Sequence, residues 1–371
     1  MRTSSPLTAG LAVSAALLLT LSACGSGSEP GGGDPNTVRL GISPFQDTML
    51  PIIGQEKGWF EEEGLNVELK TLAWNTVTPS VASGSVDVAI NNTTGLVSVA
   101  EATDDMVYAY GFNPFTEGSA LVARPGSNLT TYEDAVEKGQ DEERARTEVI
   151  EQLRGKTVVT TNSTDMGKAL DLALESVGMS TDDVTVIDMD PDQGLAAFLS
   201  GTGDAYIGGA PQRARAVADG SPVLLAGPDL APPPINGWVT TDSYLDDHED
   251  KILKLTHVMH RIFRYCDAET EACGKIITDR LNKETGSQSG VKDFVDAWQK
   301  IELYAPNAAA VKKWVLDEDG VAYWKRTWDG DNDYLTRTGA LGSPVDPEKH
   351  FAGEKVWRDY VDKYGAHEEG Y

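Results

Sequence analysis

The strongest constraint on the fold is an alternation of short strand-type runs with segments of helical periodicity, and the chain runs through it twice. In the first pass, 38–42 alternates like a strand. Residues 49–53 have helical spacing leading to Trp59 and Phe60, and Gly64 stops the segment. Then come a strand at 67–69, a helix at 78–83, a strand at 86–90, a helix at 96–100, and strands at 107–110 and 120–123. The second pass opens with a strand at 156–160. Met166, Ala169, Leu170, Ala173, Leu174 and Val177 follow at i, i+3, i+4, i+7, i+8 and i+11, one apolar helix face closed by Gly178. Strands at 184–189, 205–208 and 223–226 follow, with a helix around 194–199. Such succession predicts an α/β fold, and its repetition predicts two similar lobes, each a mostly parallel sheet with helices on both faces. From 238 onward the pattern turns helical. The tail, with Trp314, Trp324, Trp328 and Trp357, reads as helices and loops packed on the first lobe.

The N-terminus specifies an address. After Met1 and Arg2, an apolar run over 7–21 ends in Leu21-Ser22-Ala23-Cys24, a lipobox. Residues 1–23 are expected to be a signal peptide removed on export. Cys24 is expected to carry the lipid, anchoring the chain to the extracytoplasmic face of a bacterial cell membrane. The Gly/Ser-rich stretch 24–36 is a flexible tether.

The remaining body of about 335 residues is long enough for two domains. The chain has 58 acidic against 31 basic residues, net −27, and loses one positive charge with Arg2, giving −28. That field repels phosphate backbones and anionic surfaces, so nucleic acid is not an expected partner, and the membrane is touched through lipid alone. In an oxidising compartment Cys266 and Cys273 are expected to form a disulfide; a metal site would need further Cys or His partners. His257 and His260 lie three apart on a helix without further ligands and read as a solvated pair, so no metal is expected. No Gly-x-Ser-x-Gly elbow and no Gly-rich phosphate loop after a strand is present, so neither an enzyme nor a cofactor is expected.

Three motifs in order carry a family resemblance. The segment 56–68, EKGWFEEEGLNVE, and 83–89, SGSVDVA, resemble steps near the start of the periplasmic-binding proteins of ABC importers in the nitrate/sulfonate/taurine and thiamine-pyrimidine-precursor group. GKTVV at 155–159, the helix to Gly178, DVTVI at 183–187 and AAFLSG at 196–201 leading to Asp204-Ala205 resemble that group's second lobe. The resemblance covers roughly 37–265 and weakens beyond. It implies a two-lobed type II periplasmic-binding-protein fold that closes on a ligand. Lobe 1 would comprise 37–124 and 237–371 and lobe 2 125–236, with crossings near 123–126 and 236–239. It also implies a monomeric solute-binding lipoprotein that delivers its ligand to ABC permease and ATPase subunits. A structural or adhesive surface lipoprotein is the alternative, and an extracellular hydrolase a weaker one.

The ligand is expected beyond the carboxyl ends of the strands, where helices begin. The residues there are Ser43, Phe45 and Gln46; Trp74 and Asn75; Asn91, Asn92 and Thr93; Asn162, Ser163 and Thr164; and Gly209, Gln212 and Arg213. Hydroxyls and amides suit a ligand held without fixed charge, and the aromatics suit a stacking wall. Asn75, Asn92, Ser163 and Thr164 are equally fit to cap helices, and Arg213 is equally fit for a surface. These loops suit a small organic molecule, sulfonate-like or pyrimidine-like.

Overall fold

Two five-stranded sheets with the same internal order organise the molecule. The computed structural model describes residues 35–286 and 288–371, and Asn36–Tyr371 form one compact unit. The expected signal peptide, Cys24 and the tether up to residue 34 lie outside the described residues. The strands are β1 (Thr37–Ile42), β2 (Asn66–Thr71), β3 (Val88–Asn92), β4 (Met106–Pro114), β5 (Ala120–Ala123), β6 (Thr157–Thr160), β7 (Thr185–Asp188), β8 (Ala205–Gly208), β9 (Val223–Ala226) and β10 (Ile235–Thr241). One sheet runs β2-β1-β3-β10-β4 and the other β7-β6-β8-β5-β9. Counting from the first β/α strand of each sheet, both follow 2-1-3, then a strand from the inter-lobe crossing, then 4.

Each sheet is mixed, where the β/α alternation predicts mostly parallel pairing. β1 pairs parallel with β2 and β3, and β6 parallel with β7 and β8. β10 runs antiparallel to β3 and β4, and β5 antiparallel to β8 and β9. The crossings therefore fall earlier than the sequence places them. Ala120–Ala123, expected in lobe 1, belongs to the second sheet, and Ile235–Thr241, expected at a crossing and the start of a helical region, is a strand of the first. The chain passes between sheets over 115–119 and 227–234. An apolar run gives no sign of its direction, so periodicity cannot distinguish a returning strand from a parallel one. β10 earns its place by burial: Trp238 is fully enclosed, packs edge-on against Phe112 at 4.9 Å, and donates Nε1–H to Thr256 Oγ1 at 3.0 Å.

The tail packs on the first sheet and covers the histidine pair. His260 is fully buried, with Nδ1 2.6 Å from the Ala305 carbonyl and Nε2 3.2 Å from Tyr110 Oη. His257 stacks on Tyr364 and lies 2.7 Å from Glu368. His260 is thus not solvated and His257 is only partly so, because the C-terminal helix Gly353–Tyr364 and the residues after it fold back over the long helix Asp242–Ala268. Cys266 and Cys273, facing each other from that helix and the next, Thr270–Thr285, are disulfide-bonded with a Cα–Cα distance of 5.2 Å. Among the described residues no helix is long and apolar enough to cross a membrane.

Candidate functional site

Four helix starts and two loops meet between the sheets, the first being that of the helix Trp74–Ala82. The helix Thr93–Ala100 begins directly after β3, and the Asn92 side chain accepts from Gly95 N–H at 3.0 Å. The helix Asp165–Glu175 begins where Thr164 Oγ1 accepts from Met166 N–H at 3.2 Å, and its apolar face buries Met166, Ala169, Leu170, Ala173 and Leu174. The helix Ala210–Ala218 starts from Gly209 with no side-chain cap. After β1, the turn is held by Phe45 N–H to the Ser43 carbonyl at 2.8 Å and Thr48 Oγ1–H to the same carbonyl at 2.7 Å, presenting Phe45, Gln46 and Asp47. In the tail, Leu303 N–H bonds Pro114 C=O and Ala305 N–H bonds Phe112 C=O, extending the edge of β4. Alternation along that extended piece puts Glu302 and Tyr304 on one face.

Both lobes line the cavity thus formed. Phe45, Asp47, Trp74, Phe115, Asn236 and Glu302 come from one side, and Asp165, Met166 and Gly209 from the other. Phe45 and Trp74 meet edge to face at 5.2 Å. Trp74 donates Nε1–H across the cleft to Asp165 Oδ1 at 3.3 Å. The cavity volume is ≈ 20 Å³, room for about one water, so anything larger enters only when its walls move.

The electrostatics are acidic. Asn236 donates to Asp47 Oδ2 at 2.5 Å, yet burial pushes the Asp47 carboxyl up to about 6. Glu302 is raised by burial and by the charge of Asp47, and its Oε2 has no hydrogen-bond partner. Asp165 is raised by burial, while Asn92, Lys168 and Trp74 favour its charged form. Among the described residues neither Asp47 nor Glu302 belongs to an ion pair, and no three His, Cys, Asp or Glu converge as a metal site.

Some 165 residues further along the chain from Asp165, the tail supplies a second set of contacts between the lobes. Asp331, on the helix Trp324–Arg337, accepts from Thr93 Oγ1 and Thr94 Oγ1, each at 2.5 Å, and from Lys168 Nζ of the second lobe. Arg337 on the same helix pairs with Asp171 at 2.6 Å and with Glu175 at 3.3 Å.

The residues expected at the site divide. Phe45, Trp74 and Gly209 line the cavity, and Asn92, Thr93 and Thr164 sit at its helix starts. Ser43 is fully buried with Oγ unpartnered, and Asn91 is a support, donating to Thr78 Oγ1 at 2.8 Å. Gln212 turns to Asp192 at 2.9 Å. Gln46 and Arg213 line a neighbouring cavity of ≈ 310 Å³, beyond Ala210 and Pro211. Asn75, Asn162 and Ser163 are exposed and lie away from the cavity; Ser163 takes φ 56° in the turn before its helix. Asp47, Phe115, Asn236, Glu302 and Asp331 are not among the expected residues. Asp47 lies one position past the loop and Asp165 inside it, where an acidic residue also complements a helix N-terminus. Glu302 and Asp331 carry no local signal, since only the fold of the tail brings them to the cleft.

Residues 31–278 match the sequence profile of the NMT1-like family. The chain belongs to the NMT1-like family. This NMT1-like chain is 24% identical over 272 residues to YtlA of Bacillus subtilis (strain 168), covering 71% of the chain and 76% of that relative. Its fold resembles the periplasmic aliphatic sulphonate binding protein SsuA from Escherichia coli (TM-score 0.65, 17% identity, covering 89% of this chain and 100% of that one). It also resembles the periplasmic nitrate-binding protein NrtA from Synechocystis PCC 6803 (TM-score 0.64, 18% identity, 89% of each chain). The two-lobed fold of periplasmic binding proteins is therefore shared well beyond the level of sequence identity.

Proposed function

We propose that this chain is an extracytoplasmic solute-binding lipoprotein of an ABC importer, capturing a small organic molecule between its lobes and delivering it to a permease powered by separate ATPase subunits. The observation that supports this most is the cavity itself, lined from both lobes by aromatics and buried polar groups. Contacts made to both lobes only in the closed arrangement would tip the open–closed balance when ligand arrives. Of the two ligand types that the loops suit, the aromatic walls and the excess of carboxyls favour a pyrimidine-like nitrogenous compound over a sulfonate. The importer complex would contact one copy of the chain, held close by lipid on Cys24 and a short tether.

Titrating the full chain with a panel of sulfonates, pyrimidines and amines, while following melting temperature and small-angle scattering, tests the reading. Stabilisation accompanied by compaction supports it; no shift and no compaction with any member overturns it. Cys24→Ala is expected to leave binding unchanged and to impair uptake into cells.

A further inference from the structure

We infer that the cleft selects an organic cation, an ammonium or amidinium ion carried on a flat apolar group, and excludes anions; this rests on the solute-binding reading above. Two observations converge on it. The first is what occupies the places an anion would need. At the start of the helix Asp165–Glu175, Met166 N–H is taken by Thr164 Oγ1, and the positive dipole end is met by the chain's own buried Asp165, the first residue of the helix. The start of Thr93–Ala100 is closed by the Asn92 side chain and faces Asp331. Among the described residues the one buried lysine, Lys168, is spent on Asp331. A sulfonate or nitrate entering here would face carboxyls on both lobes and no cation among the residues that line the cavity; Arg213 lines the neighbouring cavity beyond Ala210 and Pro211 instead.

The second observation is the unfinished bonding of groups that line the cavity. Glu302, 5% exposed, has Oε2 without a partner, and Asn236, also 5% exposed, has Oδ1 without one. Asn236 Oδ1 is an acceptor left for a ligand N–H; Glu302 is approached by the side chains of Tyr304, Asn113 and Gln46, yet its Oε2 has no partner at hydrogen-bond distance. Buried acceptors left unpaired cost free energy, and a ligand that supplies donors and positive charge removes that cost as it binds. Phe45, Trp74 and Phe115 complete the recognition with ring faces and edges suited to a flat cation. A metal ion does not fit, because the carboxyls do not converge at ligating distances among the described residues.

Calorimetric titration of the full chain with four probes of one size tests this: benzamidine, benzylamine, benzyl alcohol and phenylmethanesulfonate. Benzamidine and benzylamine are expected to bind at least tenfold tighter than the alcohol, with no binding of the sulfonate. In Glu302→Gln the preference for the cations over the alcohol should fall at least tenfold, while the melting temperature of the unliganded variant rises. A residue held only for structure would lower it. Equal or tighter binding of the alcohol or the sulfonate overturns the cation proposal and leaves the solute-binding reading standing. Binding of none of the four overturns the cation proposal and leaves the solute-binding reading to the wider panel above, and a lower melting temperature in Glu302→Gln overturns the role given to Glu302.

Discussion

The two ends of the cleft handle buried charge in opposite ways. At one end Asp331, fully buried, is met by two hydroxyls and an ammonium, and the partners come from both lobes. At the other, Asp47 and Glu302 are also buried and, among the described residues, have no cation partner. A paired buried charge fixes geometry, since losing either partner strands the other; an unpaired one stores unfavourable energy until something neutralises it. The first end therefore acts as a clasp between lobes and the second as the receiving surface.

The largest test of that contrast is Lys168→Met, which leaves Asp331 charged and unpaired. It is expected to cost about 3–5 kcal/mol, read as a fall in melting temperature and denaturant midpoint. A neutral outcome would remove the distinction between the ends.

Asp47→Asn should act with the opposite sign. The folded chain holds the Asp47 proton up to about 6 against an ordinary 3.8, so this group's contribution to stability falls as pH rises between those values and stays reduced above them. His260 works the other way: burial lowers it to about 4 from 6.5, so its contribution is lost as pH falls through that window. Asp47→Asn removes only the first effect, among neighbours Glu302 and Asp165 that also carry carboxyls. The variant is expected to gain about 1–3 kcal/mol at pH 7, with the gain vanishing near pH 4, as followed by thermal melts across pH.

Gly167→Ala probes how the clasp closes. A Cβ there would stand 2.4 Å from Tyr334 Oη and 3.0 Å from the Thr161 carbonyl. The overpacking is expected to cost about 1–3 kcal/mol and to shift the chain toward an open arrangement in scattering, with Tyr334→Phe restoring part of it. The smallest effect is expected from Trp74→Phe, which keeps the ring wall but deletes the bond to Asp165. About 0.5–1.5 kcal/mol should be lost, measurable by chemical denaturation, and no loss would mean that Asp165 is held adequately by Asn92 and Lys168.

Much of this was legible in the chain. The periodicity around Met166–Leu174 and the apolar runs of β1, β3, β6 and β8 specify elements because local side-chain spacing decides which face is buried. The loops after those strands were legible too, which is why Phe45, Trp74, Asn92 and Gly209 could be named in advance. Strand direction was not: β5 and β10 look like any other apolar run, and only pairing with neighbours far along the chain shows that they return antiparallel. Nor could hydroxyl-rich loops be separated into those facing the cleft, such as Thr164, and those facing solvent, such as Ser163.

Local sequence specifies a two-lobed α/β protein with helix starts gathered at strand ends, since each of these depends on residues near one another in the chain. The charge of the cleft was decided by tertiary structure alone. Asp47, Asp165, Glu302 and Asp331 are spread over nearly three hundred residues, and a carboxyl reads as ordinary surface acidity in a chain of net charge −27 until folding takes it out of water.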